Sequence, residues 1–402
     1  MNLLRIALRN VFRNKRRTAI SVFAIFIGIG VMVAIRGFVN GFQRSLVTNT
    51  VEARLGAVQI HKKGFGTSVE SSPLSLDFED SAEARKRLLG IAGVRGVAAR
   101  IHFPIMVNRQ DTTVFALATA IEPLNEYAVC PEEPKLVATG KPLSAEPGIL
   151  VSTRLAKALG AALGDKITLL GNDRDGALNG IELPLTGVYE SRMPGLERTI
   201  VVTLPDARTL LRMDGRATEL AIGLKIPEEA DRAAADAQAL VGNEFEASSW
   251  RVQAKLVTDI MKFQNTILSV ISGIFLLVAL TGIVNTMLMT VLERVREIGT
   301  MMAIGVRRKQ IVFLFLAESA VMGWMGGVAG AAAGLAVTIW LGRRGVDISM
   351  PGMTVSNVLR PYLLPPFLAA AVVLAVVGAT AAAVYPALRA SKMRPVEALQ
   401  HT

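Results

Sequence analysis

A short polar segment between two long apolar stretches limits the architectures open to this chain. Residues 267–292 form a run of 26 residues without a charged side chain, and residues 311–341 are apolar apart from Glu318. A helix of 26 residues is roughly 39 Å long, which exceeds the roughly 30 Å hydrocarbon core of a bilayer. Because the segment 293–310 between them is short, we predict two transmembrane helices that meet it on the same side of the membrane.

The remaining composition predicts four spans in total. The chain is 51% hydrophobic with a mean hydropathy of +0.43, and further apolar runs occupy residues 19–39 and 362–384. Lys and Arg concentrate near both termini and in the segment 293–310, which the positive-inside rule assigns to the cytoplasm. This distribution of the net charge of +11, with few aromatic residues among the basic ones, argues against nucleic-acid binding.

The first residues predict an amphipathic helix at the inner membrane surface. Leu4, Leu8, Val11 and Phe12 recur at helical spacing, and basic residues lie on the opposite face. A signal peptide is the competing interpretation. The apolar run that follows is too long for the core of a signal peptide and is not followed by an A-x-A cleavage site, so we predict an uncleaved first span.

Residues 42–259 are charged and interrupted by prolines, and they predict a folded domain outside the membrane. Alternation and turn residues indicate strands at 51–61, 94–107, 112–121 and 219–226, helices at 81–89, 205–212 and 227–241, and a strand–helix–strand unit at 148–170. Cys130 is the single cysteine, so an internal disulfide is excluded. We expect the helix that begins at Lys255 to continue into the second span.

No motif in the chain predicts catalysis or metal binding. His61 and His102 are taken as isolated histidines without ligand spacing, and neither a Walker A motif nor a zinc motif is present. We therefore expect a chain that is not an enzyme and binds no metal and no cofactor of its own.

Two features of the third span each have two interpretations. Gly323, Gly326, Gly327, Gly330 and Gly334 have the spacing of close helix contacts, which would serve packing within the chain or a dimer contact equally well. Glu318 is costly in lipid and should face protein. It is either a proton or substrate site or, as we favour, a hydrogen-bonded anchor near the polar segment.

The polar segment and the C-terminal tail carry a family resemblance. Residues 293–310, ERVREIGTMMAIGVRRKQ, resemble the coupling-helix signature of the FtsX/MacB family of ABC transporter permeases, and PALRASKMRPVEALQ at 386–400 is similar to the end of that family's sequences. From the pattern alone, a helix lying on the lipid surface is the alternative. The resemblance implies that the segment contacts a separate cytoplasmic ABC ATPase dimer, which carries the ATP and Mg, through Glu293, Arg296, Glu297, Ile298, Gly299, Met301, Met302 and Gly305.

The resemblance implies an α-helical membrane protein of the bacterial inner membrane with four transmembrane helices. A large periplasmic α+β domain of two subdomains lies between the first and second spans, and both termini are cytoplasmic. We expect the following order: cytoplasmic amphipathic helix 1–18, first span 19–41, periplasmic domain 42–259 with a β-rich subdomain inserted near 140–204, second span 260–292, coupling helix 293–310, third span 311–342, short periplasmic loop 343–361, fourth span 362–388 and cytoplasmic tail 389–402. A second permease chain, identical or homologous, and membrane lipid are the further partners.

Within the family, the start of the chain is most similar to the lipoprotein-releasing (LolC/LolE) branch. That similarity implies extraction of lipoproteins from the outer leaflet, with acyl chains against Phe38, Phe42, Phe263, Ile267 and Ile271. It also implies a loop that recruits a periplasmic carrier. The matching segment 171–184 is shorter and has proline only at its far end, which leaves Asp173, Arg174 and Asp175 as the candidate contact. The alternatives are a MacB-like tripartite-efflux permease and an FtsX-like scaffold that regulates a cell-wall hydrolase.

Overall fold

The computed structural model describes residues 9–10, 13, 15–65, 73–191, 198–348 and 357–392. Most of the predicted N-terminal amphipathic helix, including Leu4, Leu8, Val11 and Phe12, and the end of the predicted cytoplasmic tail, 393–402, lie outside the described residues. The chain divides into two compact units. One comprises residues 1–43, 261–346 and 358–402, and the other comprises 44–260 and 347–357.

In the described residues, four helices are long and apolar enough to cross a membrane. We call them the first to fourth spans: Lys15–Val47, Lys255–Glu293, Arg308–Arg344 and Pro365–Ser391. The first three extend beyond the apolar runs that predicted them at both ends, because polar residues at the ends keep their backbone hydrogen bonds within the helix. The fourth begins three residues later than predicted, at Pro365, and ends at Ser391, beyond its apolar run. The second span begins at Lys255 and continues without a break, which confirms the predicted continuous helix.

The glycines of the third span pack against neighbouring spans of the same chain. A Cβ added at Gly330 would lie 2.6 Å from the carbonyl oxygen of Phe26, and one at Gly334 would lie 2.6 Å from that of Gly30, both in the first span. A Cβ at Gly323 would lie 2.8 Å from the carbonyl oxygen of Ala375 in the fourth span. Small residues allow this close approach of backbones, so the glycine spacing serves packing within the chain.

The unit formed by residues 44–260 and 347–357 is built on a mixed sheet. Within the described ranges the strands are β1 (Val58–Lys62), β2 (Phe78–Glu79), β3 (Val94–Arg109), β4 (Thr112–Ile121), β5 (Val137–Gly140), β6 (Ile149–Ser152), β7 (Lys166–Asn172), β8 (Leu178–Tyr189), β9 (Thr199–Thr203), β10 (Arg216–Ala217), β11 (Glu219–Leu224) and β12 (Phe245–Ser249). The order in the large sheet is β12-β1-β11-β3-β4-β9-β6-β8-β5, and β7 pairs with β3 and β8. β2 pairs with β10, and the strands Val346–Ile348 and Asn357–Leu359 pair with each other.

Short helices connect the strands. The α-helices are Ala82–Leu89, Pro123–Val129, Thr153–Leu159, Leu204–Leu211, Ala230–Val241 and Trp250–Gln253, the 3-10 helices are Leu74–Leu76, Glu133–Leu136 and Pro227–Glu229, and Thr48–Leu55 is a π-helix. Side-chain oxygens cap several of these helices. For example, Ser81 and Ser152 accept hydrogen bonds from backbone amides of the first turns that follow them. These bounds confirm the predicted helices at 81–89 and 205–212 and the strand–helix–strand unit at 148–170.

Two expectations for this unit differ from the structure. The strand predicted over 51–61 is wrong in its first half, where the π-helix continues to Leu55 and β1 begins only at Val58. Gly56, with φ of +77°, makes the change of direction, and the Gln59 side-chain amide donates to the carbonyl oxygens of Leu55 and Gly56. In addition, strands β5 to β9 continue the same hydrogen-bonded sheet as β3 and β4, so the division into two subdomains stays a prediction.

Candidate functional site

The polar segment between the second and third spans forms a short helix, Val295–Ala303. It ends before Gly305, whose φ of +94° is the left-handed conformation that glycine adopts readily. The third span then begins at Arg308, three residues before the predicted start, because the Gln310 side chain accepts a hydrogen bond from the Arg307 amide and caps it.

The apolar face of the short helix is covered by its own chain. Ile298 and Gly299 are buried, and Met301 and Met302 pack against a core cluster that includes Val291. Ile298 and Gly299 therefore pack against their own chain, and their contact with a partner stays a prediction. Of the eight predicted contact residues, the exposed ones are Glu293, Arg296, Glu297 and Gly305.

A large apolar residue that was not among the predicted contacts, Ile304, is exposed at the end of the short helix. Ile304 directly follows the helix and is 76% exposed, although it is large and apolar. Glu297, which is also exposed, accepts a hydrogen bond from Arg13 at 2.6 Å. The side that an external partner can reach therefore combines the polar residues Arg296 and Glu297 with Ile304.

Glu318 is bound by two donors near the short helix. Its Oε1 lies 3.3 Å from Nη1 of Arg294, and 2.6 Å from Nδ2 of Asn10. Arg294 precedes the short helix, and both charged side chains are buried. Glu318 is therefore hydrogen-bonded next to the short helix, as the anchor interpretation predicts, and its role stays a prediction.

A cleft of about 400 Å³ lies between the first, second and fourth spans. Its wall is mainly apolar, and Arg36 stands at its edge, with Nη1 donating to Asn265 Oδ1 at 3.0 Å and the guanidinium 5.7 Å from the centre of the Phe367 ring. The lining residues are Met32, Arg36, Leu268, Ser269, Ser272, Gly273, Leu276, Phe367, Ala370, Ala371 and Leu374. An apolar cleft with one cation at its edge is suited to an amphiphile with an anionic or polar head.

The five residues predicted to contact acyl chains lie beside this cleft rather than in it. Phe38, Phe263 and Ile267 are exposed, Phe42 and Ile271 are partly buried, and none belongs to the lining. The predicted contacts came from the first two spans alone, whereas the fourth span completes the cleft.

The predicted carrier-contact loop is a tight turn between β7 and β8. Asp173 is buried, and its Oδ1 accepts hydrogen bonds from the amides of Asp175 and Ala177 while Asn179 donates to its Oδ2. Arg174 lies 3.2 Å from the Asp77 carboxylate. Asp173 therefore holds the turn and is unavailable as a contact, whereas Arg174 and Asp175 are exposed.

A buried charged cluster in the same unit was not predicted. Arg100 makes a bidentate hydrogen-bonded pair with Glu126, and its Nη1 lies 2.8 Å from Glu219 Oε1. The other oxygen of Glu219 lies 3.3 Å from His61 Nε2 and 3.1 Å from His102 Nε2. The histidines, taken as isolated in the sequence, therefore share one carboxylate. Nothing in their spacing indicates this, because β1, β3 and β11 bring them together.

The pKa values of Glu219 and His61 are shifted within this cluster. Burial raises the pKa of Glu219, but His102 and Arg100 outweigh it, so the pKa lies below its ordinary range. Burial lowers the pKa of His61. In the described part of the chain, no three His, Cys, Asp or Glu side chains form an arrangement suited to a metal ion.

The N-terminal and C-terminal parts of the chain each match a known protein family. Residues 18–240 match the family described as MacB-like periplasmic core domain, and residues 269–395 match the one described as FtsX-like permease C-terminal. The chain belongs to the FtsX/MacB-type family of ABC transporter permeases. It is thus a multi-pass membrane protein, and the domain between its first two spans is a MacB-like domain.

The relatives of this FtsX/MacB-type chain include a protein named as a permease and proteins named as combined ATP-binding/permease proteins. The uncharacterized ABC transporter permease YvrN of Bacillus subtilis is 24% identical over 99% of both chains. The macrolide export ATP-binding/permease protein MacB of Nitrobacter winogradskyi is 27% identical over 96% of this chain and 58% of its own length. MacB of Hyphomonas neptunium is 32% identical over 55% of this chain and 34% of its own length. The chain thus spans about a third to three fifths of these MacB proteins.

Among solved structures, the periplasmic region of MacB from Actinobacillus actinomycetemcomitans aligns with a TM-score of 0.36 and 11% identity, over 51% of this chain and 94% of that chain. This score is too low to support an argument.

Proposed function

We propose that the chain is the membrane subunit of an ABC transporter that works by mechanotransmission, with ATP and Mg bound by a separate cytoplasmic ATPase dimer. The observation that carries the proposal is the short helix Val295–Ala303 between two spans, which leaves Arg296, Glu297 and Ile304 exposed while its opposite face is packed in the chain. Movement of the ATPase would reach the second and third spans directly, because both adjoin this helix. A second permease chain would complete the transporter.

The contact is tested on the exposed side of the helix. Ile304→Glu, combined with Glu297→Lys, should lower the ATP hydrolysis of the assembled complex toward that of the ATPase alone. Ile226→Glu is a matched control, because Ile226 is also large, apolar and exposed but lies in the MacB-like domain. Hydrolysis that remains coupled in the double variant would overturn the proposed contact.

For the cargo we propose an acylated amphiphile, foremost a lipoprotein, whose acyl chains enter the cleft between the first, second and fourth spans. Burial of each methylene contributes about 0.8 kcal/mol, so an apolar cleft suits an acyl chain. Arg36 at the edge would contact the polar end of the molecule. In this proposal the cargo leaves the outer leaflet of the inner membrane, with the MacB-like domain in the periplasm and both termini in the cytoplasm. Arg174 and Asp175 are the residues left for contact with a periplasmic carrier.

Two adjacent residues of the second span provide the cargo test. Leu276 lines the cleft, whereas Leu277 is 64% exposed and does not line it. A photocrosslinking residue at position 276 should capture lipoprotein in the absence of nucleotide and lose it after ATP binding, and one at position 277 should capture membrane lipid. Equal capture of lipid at both positions would exclude the cleft as the cargo site.

Macrolide export is the second candidate, because the MacB relatives that match nearly the whole chain carry that name. It predicts drug resistance that depends on the chain and no lipoprotein at position 276. Capture of a hydrolase activator by the MacB-like domain, with no cargo at either position, would favour the scaffold alternative.

A further inference from the structure

Arg36 is the only charged side chain among the described residues that line the cleft between the first, second and fourth spans. It belongs to the half of the first span remote from the short helix, three residues before the apolar run 19–39 ends. Three residues correspond to about 4.5 Å of helix, so Arg36 lies close to the level at which the hydrocarbon core meets the lipid head groups. A charge within a span is costly without a partner and points to a binding function.

Neutral groups fix the position of the Arg36 guanidinium. Its Nη1 donates to Asn265 Oδ1 at 3.0 Å, and the guanidinium lies 5.7 Å from the centre of the Phe367 ring. Asn265 Oδ1 also accepts a hydrogen bond from Gln43 Nε2 at 3.3 Å, which links the first span to the second. In the described part of the chain, Nη2 and Nε of Arg36 have no acceptor and no carboxylate pairs with the guanidinium. The cleft therefore has an unpaired positive charge with available N–H donors at its edge.

The end of the spans that contains Arg36 has an excess of positive charge. The sequence has no Asp or Glu within residues 15–43, 261–292, 319–346 and 358–392. Acidic residues such as Glu297 and Glu318 lie at or near the short helix instead. Further basic residues at the ends of the spans on the Arg36 side are Lys262, Arg343, Arg344 and Arg360. The spanning unit therefore attracts an anionic group here and offers no acidic partner to a cationic one.

The apolar wall of the cleft runs from Arg36 toward the middle of the spans. On the second span it covers Leu268 to Leu276, roughly 12 Å of helix. A narrower apolar cavity of about 20 Å³ shares Met32, Leu276 and Leu374 with the cleft and continues the wall as far as Ile283. One leaflet of the hydrocarbon core is roughly 15 Å thick, so the wall has the length and direction of an acyl chain. A head group at Arg36 would thus place its chain along this wall.

We propose that, in the absence of cargo, this cleft binds one molecule of an anionic glycerophospholipid. Arg36 donates to the phosphate oxygens, because a guanidinium forms two parallel hydrogen bonds with a phosphate. One acyl chain packs against Met32, Leu276 and Leu374. A zwitterionic phospholipid is disfavoured, because its ammonium group would enter the region of excess positive charge.

The phospholipid is a resident occupant and not the cargo. The acylated end of a lipoprotein carries ester, thioether and amide groups, which are neutral, so it can use the apolar wall but supplies no counter-charge to Arg36. A lipoprotein that enters the cleft must therefore displace the phospholipid. This inference rests on the proposed use of the cleft by amphiphiles, and the experiment begins with cargo-free protein so that the two can fail separately.

The test places a photocrosslinking residue at position 276 or 277 of the full-length chain. The protein is reconstituted in nanodiscs of phosphatidylcholine that contain equal minor amounts of phosphatidylglycerol and diacylglycerol, all with the same acyl chains. Mass spectrometry of the adducts gives the lipid ratios at each position, and position 277 reports the surrounding bilayer. The ratio of phosphatidylglycerol to phosphatidylcholine should be at least about fivefold higher at position 276. Diacylglycerol, which lacks the phosphate, should show no enrichment.

Arg36→Gln should bring the ratio at position 276 to within about twofold of that at position 277. Arg343→Gln is the matched control, because Arg343 is exposed on the same side of the spans, does not line the cleft and should leave the enrichment in place. Equal lipid ratios at both positions of the parent protein would overturn the inference, whether or not the Arg36 variant folds. Enrichment of diacylglycerol equal to that of phosphatidylglycerol would also overturn it, as would loss of the enrichment in Arg343→Gln.

Addition of purified lipoprotein separates this inference from the proposed cargo. Lipoprotein should lower the capture of phosphatidylglycerol at position 276, because both occupy the same wall. Phosphatidylglycerol that is enriched and stays in place when lipoprotein is added would support the resident lipid and contradict the proposed cargo. Capture of lipoprotein at a position that shows no enrichment of phosphatidylglycerol would support the cargo and overturn the resident lipid.

Discussion

Removing one member of the buried pair formed by Arg294 and Glu318 should destabilise the protein more than removing both. The side chains are 7% and 5% exposed, and the Nη1–Oε1 distance is 3.3 Å. Glu318→Met leaves the buried guanidinium with only the exposed Glu297 carboxylate, whose Oε2 lies 3.8 Å from its Nε, and Arg294→Met leaves the Glu318 carboxylate with Asn10 as its remaining donor. Removing one partner of a buried pair costs about 3–5 kcal/mol. Replacing both by apolar residues of similar volume is often neutral or even stabilising.

The free energy of unfolding can be measured by titrating detergent-solubilised protein with a denaturing detergent while following helicity. Each single variant should lose about 3–5 kcal/mol, and the double variant should lose less than either single one. Arg296→Met is the control, because this neighbouring arginine is exposed and exposed pairs contribute only about 0–1 kcal/mol. Additive losses in the double variant would refute the reasoning, as would single variants as stable as the parent protein.

Three further predictions concern packing, pH and accessibility. Gly334→Val should destabilise the protein by about 1–3 kcal/mol in the same unfolding assay, because its Cβ would meet a backbone oxygen. Gly282→Val should be tolerated, because a Cβ at Gly282 would meet no atom of the described residues within 4 Å. Relative to Glu133→Gln, the stability of the MacB-like domain should fall as the pH rises from 4.5 to about 8, by up to about 1.4 kcal/mol per pH unit, since folded Glu133 keeps a proton that the unfolded chain releases. The lowered pKa of His61 acts in the opposite direction below pH 6.5 in both proteins, so the measurement is the difference between their thermal unfolding curves. A membrane-impermeant maleimide applied to intact cells should label Asp175→Cys in the exposed turn but not the buried Cys130, and labelling of native Cys130 would contradict its burial.

Local patterns in the sequence predicted the helices and most strands well. Runs such as 267–292 can only be helices in a membrane, and alternation with turn residues identified β3 and β4 almost to their ends. The first half of the 51–61 strand was misassigned, although Glu52, Ala53, Arg54 and Leu55 all favour a helix and the preceding helix continues through them as a π-helix. Intrinsic preference thus agreed with the structure at this position, and the prediction gave it too little weight.

The candidate sites were predictable only where neighbouring residues form them. The exposed residues Arg296 and Glu297 follow from the coupling signature, and the anchor role of Glu318 follows from the cost of a charge in lipid. The cleft and the charged cluster are made by segments far apart in the chain, such as Leu276 with Phe367 or His61 with Glu219. Their pairing is decided by sheet order and helix packing, which residue spacing does not encode.

The glycine contact between the first and third spans fixes how these two helices can move. The spans run parallel, with Ile25 beside Gly326, Gly30 beside Gly330 and Gly37 beside Thr338. Sliding the third span by four residues, about 6 Å, would move a larger side chain into a position that now holds only a glycine hydrogen atom. In one direction Met322 would take the place of Gly326, and in the other Thr338 would take the place of Gly334. Larger side chains thus block sliding in both directions along the row of glycines. A force applied to one of these helices is transmitted to the other as tilt or rotation of the pair, and sliding along the common axis is blocked.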